Sequence, residues 1–169
     1  MKPLKRCSKK GLAAQVDGQW WLLESQTDYL KAVLLMRVRI DFYKDGLRHR
    51  EDGPAIIYAD GSEFWYKNDK LHREDGPAVI RSDGTQLWHL KGKLHREDGP
   101  AVIGANGNKF WYLNGKRHRS DGPAVVWAHG TKEWYLKGKL HRADGPAAIY
   151  ADGTKKWYKN GKLVRYETP

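Results

Sequence analysis

From residue 41 onward the apolar positions come in runs of two to five, broken at regular intervals by pairs that contain Gly. One stretch shows the scheme: Ala78-Val79-Ile80, then Asp83-Gly84, then Gln86-Leu87-Trp88-His89-Leu90, then Lys91-Gly92. Two β-rich runs alternating with two turn signals predict antiparallel strands joined as hairpins, because Asp-Gly tolerates the positive φ of a tight turn. Asp60-Gly61, Asn106-Gly107 and Asp152-Gly153 repeat the first signal, with His129-Gly130 as a weaker variant. The first 40 residues follow another pattern. Val16 to Leu23, with Asp17-Gly18 and Trp20-Trp21, reads as a divergent hairpin, and Tyr29 to Arg37, preceded by the cap signal Thr27-Asp28, reads as a short amphipathic helix covering an open sheet edge.

Self-comparison fixes the period. Asp-Gly-Pro-Ala begins at Asp52, Asp75, Asp98, Asp121 and Asp144, each 23 residues after the last, and each copy follows a His-Arg pair, from His49-Arg50 to His141-Arg142. An aromatic residue lies ten positions before each of these Asp residues, as Phe42, Trp65, Trp88, Trp111 and Trp134, and Trp157 continues the series into an incomplete last copy. Ragged terminal copies are expected where stacking ends. The expected fold is therefore mainly β: an elongated array of five antiparallel β-hairpin repeats over residues 41 to 169, preceded by a basic tail and small capping segment with a short helix over residues 1 to 40.

The loop from His-Arg to Gly-Pro is longer than a tight turn, and its Pro fixes φ and removes a donor at the strand entrance. Five copies of one His-Arg-Asp triplet speak for architecture, since a catalytic site needs a single asymmetric constellation. The expectation is that Asp caps the Gly-Pro turn by accepting backbone N–H groups while Arg or His ties neighbouring loops, with a repeated anion-binding edge as the alternative. Equivalent His residues about 10 Å apart are too far from one another to share a zinc ion. No phosphate-binding Gly loop, paired-Cys motif or nucleophile elbow is present, so no catalytic residue, cofactor or metal is expected.

The unit resembles the MORN repeat, which is also 23 residues long and builds a row of β-hairpins around Gly-containing turns. The resemblance rests on the aromatic strand, the Asp-Gly-Thr turn and the steps Lys91-Gly92-Lys93, Asn114-Gly115-Lys116, Lys137-Gly138-Lys139 and Asn160-Gly161-Lys162, and it covers residues 42 to 163. The pattern is a variant, with Arg after the His, an added Asp-Gly-Pro-Ala and adjacent Trp-Tyr. Arrays with this motif look like those of uncharacterised bacterial and phage proteins, which implies an inhibitor or adaptor acting on a host system.

If Asp60-Gly61 is a two-residue turn, Ala59 faces Ser62, Ile57 faces Phe64 and Ala55 faces Tyr66, which leaves Ile56, Tyr58, Glu63 and Trp65 on the other side. That second face keeps Trp in every copy and varies around it. Its candidate binding residues are Tyr58, Trp65, Arg81, Trp88, Lys109, Trp111, Trp127, Lys132, Trp134, Tyr150, Lys155 and Trp157. The competing expectation is that the Trp residues form a buried ladder rimmed by the variable side chains, and a bulged turn would exchange the faces.

Composition narrows the functional classes. Eight Trp and nine Tyr among 169 residues suit thin sheets and binding faces. The net charge of +11 is densest in residues 1 to 40, which hold eight Lys/Arg against three acids. Such a charge favours nucleic acid, an anionic membrane or an acidic protein, and equally serves solubility. A single Cys, Cys7, excludes an intramolecular disulfide framework and points to the cytoplasm. The segment Tyr29 to Ile40 is too short and too charged to span a bilayer. The leading expectation is a non-enzymatic scaffold for protein–protein interaction. Nucleic-acid binding through Lys109, Lys132, Lys155 and exposed Trp is the alternative, and attachment to anionic lipid is a third reading, implied by the MORN resemblance.

Overall fold

The computed structural model describes residues 11–16, 19–23 and 39–169. The helix expected over residues 29 to 37 lies outside these residues. The chain divides into two compact bodies, one formed by residues 1–83 with 90–92 and the other by residues 84–89 with 93–169. Each is mainly β, and no helix occurs among the described residues.

In the first body the N-terminal hairpin, β1 (Gly11–Val16) and β2 (Gln19–Leu23), pairs Val16 with Gln19 and docks through β1 onto β3 (Arg39–Lys44). The sheet continues antiparallel through the strands Ile56–Ile57, Glu63–Phe64 and Val79–Ile80. The hairpin expected from Asp17-Gly18 is therefore present, and it joins the sheet edge-on. The second body repeats the scheme with the strands Gln86–Leu87, Val102–Ile103, Lys109–Phe110, Val125–Val126, Lys132–Glu133, Ala148–Ile149, Lys155–Lys159 and Lys162–Glu167 in that order. In the copies from Trp65 to Trp134 the strand is interrupted at its Trp and forms a second small hairpin, such as Tyr112–Leu113 with Lys116–Arg117, whereas the strand Lys155–Lys159 runs unbroken through Trp157.

The Asp-Gly turn differs from the two-residue turn expected from sequence. At Asp60-Gly61 the Tyr58 N–H donates to Ser62 O at 2.9 Å and the Gly61 N–H to Tyr58 O at 3.0 Å, with Gly61 at φ +85°. This three-residue turn ends on a left-handed Gly bulge, and it shifts the register by one residue. Ile56 therefore faces Phe64 and Ile57 faces Glu63, where the two-residue reading placed Ile57 opposite Phe64. The tight two-residue turns lie at the other end of the repeat, where both residues take positive φ: Asp45-Gly46, Asn68-Asp69, Lys91-Gly92, Asn114-Gly115, Lys137-Gly138 and Asn160-Gly161.

The core is narrow. The Ala of every Asp-Gly-Pro-Ala, from Ala55 to Ala147, is fully buried, and its carbonyl accepts from the aromatic residue of the preceding strand, as in Trp65 N–H to Ala78 O at 2.8 Å and Trp111 N–H to Ala124 O at 2.8 Å. A larger side chain would break this approach, so the uniform small residue is steric in origin. Side-chain oxygens add further ties between neighbouring repeats: Ser62 Oγ accepts from Ser82 N at 3.0 Å, Asn108 Oδ1 from Ala128 N at 2.8 Å and Thr131 Oγ1 from Ala151 N at 3.2 Å.

Candidate functional site

The His-Arg-x-Asp-Gly-Pro loop is built around its arginine. Arg73 lies over the Trp65 ring at 4.2 Å, Arg96 over Trp88 at 4.2 Å, Arg119 over Trp111 at 4.2 Å and Arg142 over Trp134 at 4.4 Å. Arg50 does the same over Phe42 at 4.0 Å. The opposite side of each guanidinium meets the loop glycine, where a Cβ at Gly76 or Gly99 would sit 3.0 Å from the arginine Cζ. Nε donates to the loop Asp, at 2.8 Å for Arg50–Asp52 and 2.9 Å for Arg73–Asp75, Arg96–Asp98, Arg119–Asp121 and Arg142–Asp144. The Asp thus orients the arginine, where sequence reasoning expected it to cap the Gly-Pro turn. The neighbouring guanidinium holds each of these five carboxyls below the usual Asp range.

The last copy keeps this clamp in altered form. Arg165 covers Trp157 at 4.5 Å, and its Nη2 donates to Glu167 at 2.7 Å. The resemblance drawn from sequence ends at residue 163, just before Val164, which stands where the other copies have His, and so missed Arg165. The signal was available, since an Arg follows every repeat aromatic by eight positions, from Phe42/Arg50 to Trp157/Arg165.

The histidine locks the next repeat, as the tie between neighbouring loops anticipated. His72 Nδ1 accepts from Lys91 N at 3.1 Å, His95 from Asn114 N at 3.1 Å, His118 from Lys137 N at 3.2 Å and His141 from Asn160 N at 3.2 Å. These four rings therefore carry their proton on Nε2. At His49 the partner is Asn68 Oδ1, at 2.7 Å.

Between successive loops the rigid frame leaves grooves. In the first body a groove of about 880 Å³ runs between the loops of Arg50 and Arg73, with Glu63, Trp65 and Lys67 on its floor. In the second body one of about 210 Å³ holds Trp111 and Leu113, and another of about 390 Å³ holds Trp134 and Leu136. The loop carboxylates rim them, Asp75 being 81% exposed and Asp98 80%.

The candidate residues fall on two faces. Trp65, Trp88, Trp111, Trp134 and Trp157 are half-buried beneath their arginines, and Lys109, Lys132 and Lys155 are exposed on the strands that lead to the last three of them. Tyr58, Trp127 and Tyr150 lie on the opposite side: Tyr58 packs edge-on against Phe64 at 5.2 Å, Trp127 against Phe110 at 4.9 Å, and Lys156 Nζ sits 5.0 Å from the Tyr150 ring. Arg81 is exposed just beyond the strand Val79–Ile80. The shifted register causes this separation.

Two further clusters break the repeat. In the second body Arg117 Nε donates to Tyr112 Oη at 3.2 Å and Nη1 to Tyr135 Oη at 3.1 Å, with Glu133 Oε2 at 3.9 Å. Burial, followed by the Glu133 charge, raises the Tyr135 hydroxyl above its usual range. In the first body Arg48 is bonded to Tyr43 and Tyr66 and pairs with Asp69 at 3.7 Å, while the fully buried Asp41 pairs with Arg39 at 2.9 Å. Arg48 and Arg117 stand where neighbouring repeats have Leu71, Leu94, Leu140 and Leu163.

These features define a class of protein: a tandem array of antiparallel β-hairpin repeats held by stacked Arg–Trp clamps. Compared with known proteins, the chain matches no family model and no curated protein. No helix among the described residues is long and apolar enough to cross a membrane.

Proposed function

We propose that the chain is a non-enzymatic binding scaffold that receives a protein partner along the grooves between its clamped loops. The observation that carries this reading is the division of labour within the repeat. Trp, Arg, Asp and Gly are committed to one another and His to the next turn, so that they hold a rigid frame, while the side chains offered between frames change from copy to copy. The loop position after Arg reads Glu51, Glu74, Glu97, Ser120 and Ala143, and the floor changes from Lys67 to Leu113 and Leu136. A fixed frame with variable lining is how linear arrays acquire specificity. The hairpin geometry is compatible with MORN-like repeats, and we place the chain beside them on that ground together with the 23-residue period. The single Cys7 fits a cytoplasmic setting.

Base stacking on the Trp row is disfavoured, because the arginine occupies one ring face in every copy from Trp65 to Trp157. The test is capture of partners by the tagged chain with and without nuclease, using a photo-crosslinker at Lys67 in the groove and, in a second sample, at Tyr58 on the other face. The expected result is a nuclease-resistant protein adduct from Lys67, lost in Glu63→Lys/Glu74→Lys. An adduct formed only from Tyr58, or a Lys67 adduct that vanishes with nuclease, would refute the groove reading.

A further inference from the structure

We infer that the tight-turn edge of the second body is a binding site for the phosphodiester backbone of nucleic acid, distinct from the grooves proposed above for a protein. The turns along this edge, residues 113–116, 136–139 and 159–162, contain Lys116, Lys137, Lys139, Lys159 and Lys162, with Asn, Gly, Leu113 and Leu136 as their other residues. All five lysines are exposed, and none forms an ion pair among the described residues. The charged groups of the loops behave otherwise, since each loop Arg is bonded to its own Asp. Unpaired ammonium groups lose no internal partner when a phosphate arrives.

The column is pre-aligned. The position that a Cβ would take at Gly115 lies 3.7 Å from Lys93 Cβ, at Gly138 3.6 Å from Lys116 Cβ and at Gly161 3.7 Å from Lys139 Cβ. Each lysine stem therefore runs along the next turn, which sets successive ammonium groups about 10 Å apart, two strand spacings, in a single row. A linear row of evenly spaced charges suits a linear polyanion. A bilayer would use a two-dimensional patch.

Two local features reinforce the charge of this edge. Lys137 holds φ +51°, a conformation that the equivalent Asn114 and Asn160 adopt at lower cost, so the cation is kept at the expense of strain. The histidines beneath the last two turns, His118 and His141, are followed by Arg119-Ser120 and Arg142-Ala143, whereas His95 has Glu97 at 3.5 Å. The loop carboxylate beside the histidine is thus absent where the lysines are densest.

The experiment is fluorescence anisotropy of the full chain with a labelled 24-base-pair duplex between 50 and 250 mM KCl. Neutralising four to six phosphates predicts a slope of log affinity against log salt of about −4 to −5. Lys116→Gln/Lys139→Gln/Lys162→Gln should weaken binding at least tenfold at 100 mM KCl. Lys109→Gln/Lys132→Gln, on the sheet face, should leave it within about twofold. Lys137→Asn separates folding from binding, with an affinity two- to threefold lower at an equal or higher melting temperature. The inference is overturned if the triple variant binds like the parent, if only neutralising Lys2, Lys5, Arg6, Lys9 and Lys10 abolishes binding, or if the chain sediments with phosphatidylserine vesicles and ignores the duplex.

Discussion

The loop clamp predicts an inverted response to a usually harmless substitution. At a glycine whose φ suits an L-residue, Gly→Ala stabilises by about 0.4–1 kcal/mol through the unfolded chain. Gly99 lies outside the positive-φ set, yet a Cβ there would sit 3.0 Å from Arg96 Cζ, 3.1 Å from Nε and 3.3 Å from Nη2. The guanidinium cannot retreat, since Trp88 lies 4.2 Å behind it and Asp98 holds Nε at 2.9 Å. Overpacking a fixed group costs about 1–3 kcal/mol. Gly99→Ala should therefore destabilise by about 1.5 kcal/mol, moving the urea midpoint down by about 0.7 M for an m-value of about 2 kcal/mol/M. Arg96→Ala loses the cation–π contact and the cover over Trp88, about 2 kcal/mol together. In that background the added methyl meets no guanidinium, so the double variant should match Arg96→Ala or exceed it slightly in stability. The cycle thus predicts a coupling of about 1.5–2 kcal/mol, read from urea unfolding followed by circular dichroism. Additive losses, or a Gly99→Ala that is neutral in the parent, would refute the clamp.

Three other outcomes follow from the same geometry. Asp52, Asp75, Asp98, Asp121 and Asp144 titrate below their unfolded range because of the arginine beside each, so the stability they contribute is full above about pH 4 and is lost as pH falls through their folded values; urea midpoints between pH 2 and 6 should show this, with a shallower slope in Asp98→Asn. Asp41 is shifted the opposite way, burial outweighing Arg39 at 2.9 Å, so its ionisation in the fold costs stability as pH rises from its unfolded value through its folded one; the advantage of Asp41→Asn over the parent should widen from pH 4 to pH 7, and a constant difference would contradict it. Arg117→Leu leaves Glu133, 18% exposed, without its cation and should cost about 1–3 kcal/mol, whereas Arg117→Leu/Glu133→Phe restores the residues of neighbouring repeats and should recover most of the loss in thermal melts.

The period, the strands and the structural role of the His-Arg-Asp triplet were legible in the sequence because Gly and Asn punctuate it and five copies repeat it without insertion. The register was not. Asp60-Gly61 satisfies either a two-residue turn or a three-residue turn ending on Gly, since both need a left-handed Gly, and the two choices differ by one residue. That difference moves Tyr58, Trp127 and Tyr150 away from the Trp row. The identity of the arginine's partner was hidden for another reason. Trp65 and Arg73 lie eight residues apart across a hairpin, and only the fold shows that the guanidinium reaches back onto the ring with Gly76 behind it.

The departures from the repeat are as informative as the repeat. Leu is the usual residue at the position of Arg48 and Arg117, and a lone arginine between packed strands would pay a desolvation penalty. Each body instead answers its arginine with two tyrosines and an acid: Tyr43, Tyr66 and Asp69 in the first, Tyr112, Tyr135 and Glu133 in the second. An apolar contact tolerates sliding, whereas a guanidinium fixed by two phenols tolerates little. These clusters therefore distinguish otherwise equivalent repeats and oppose a shift of one repeat past its neighbour. That is a need particular to arrays, because a displacement of 23 residues would otherwise match nearly every Trp, Arg and Asp to a correct partner.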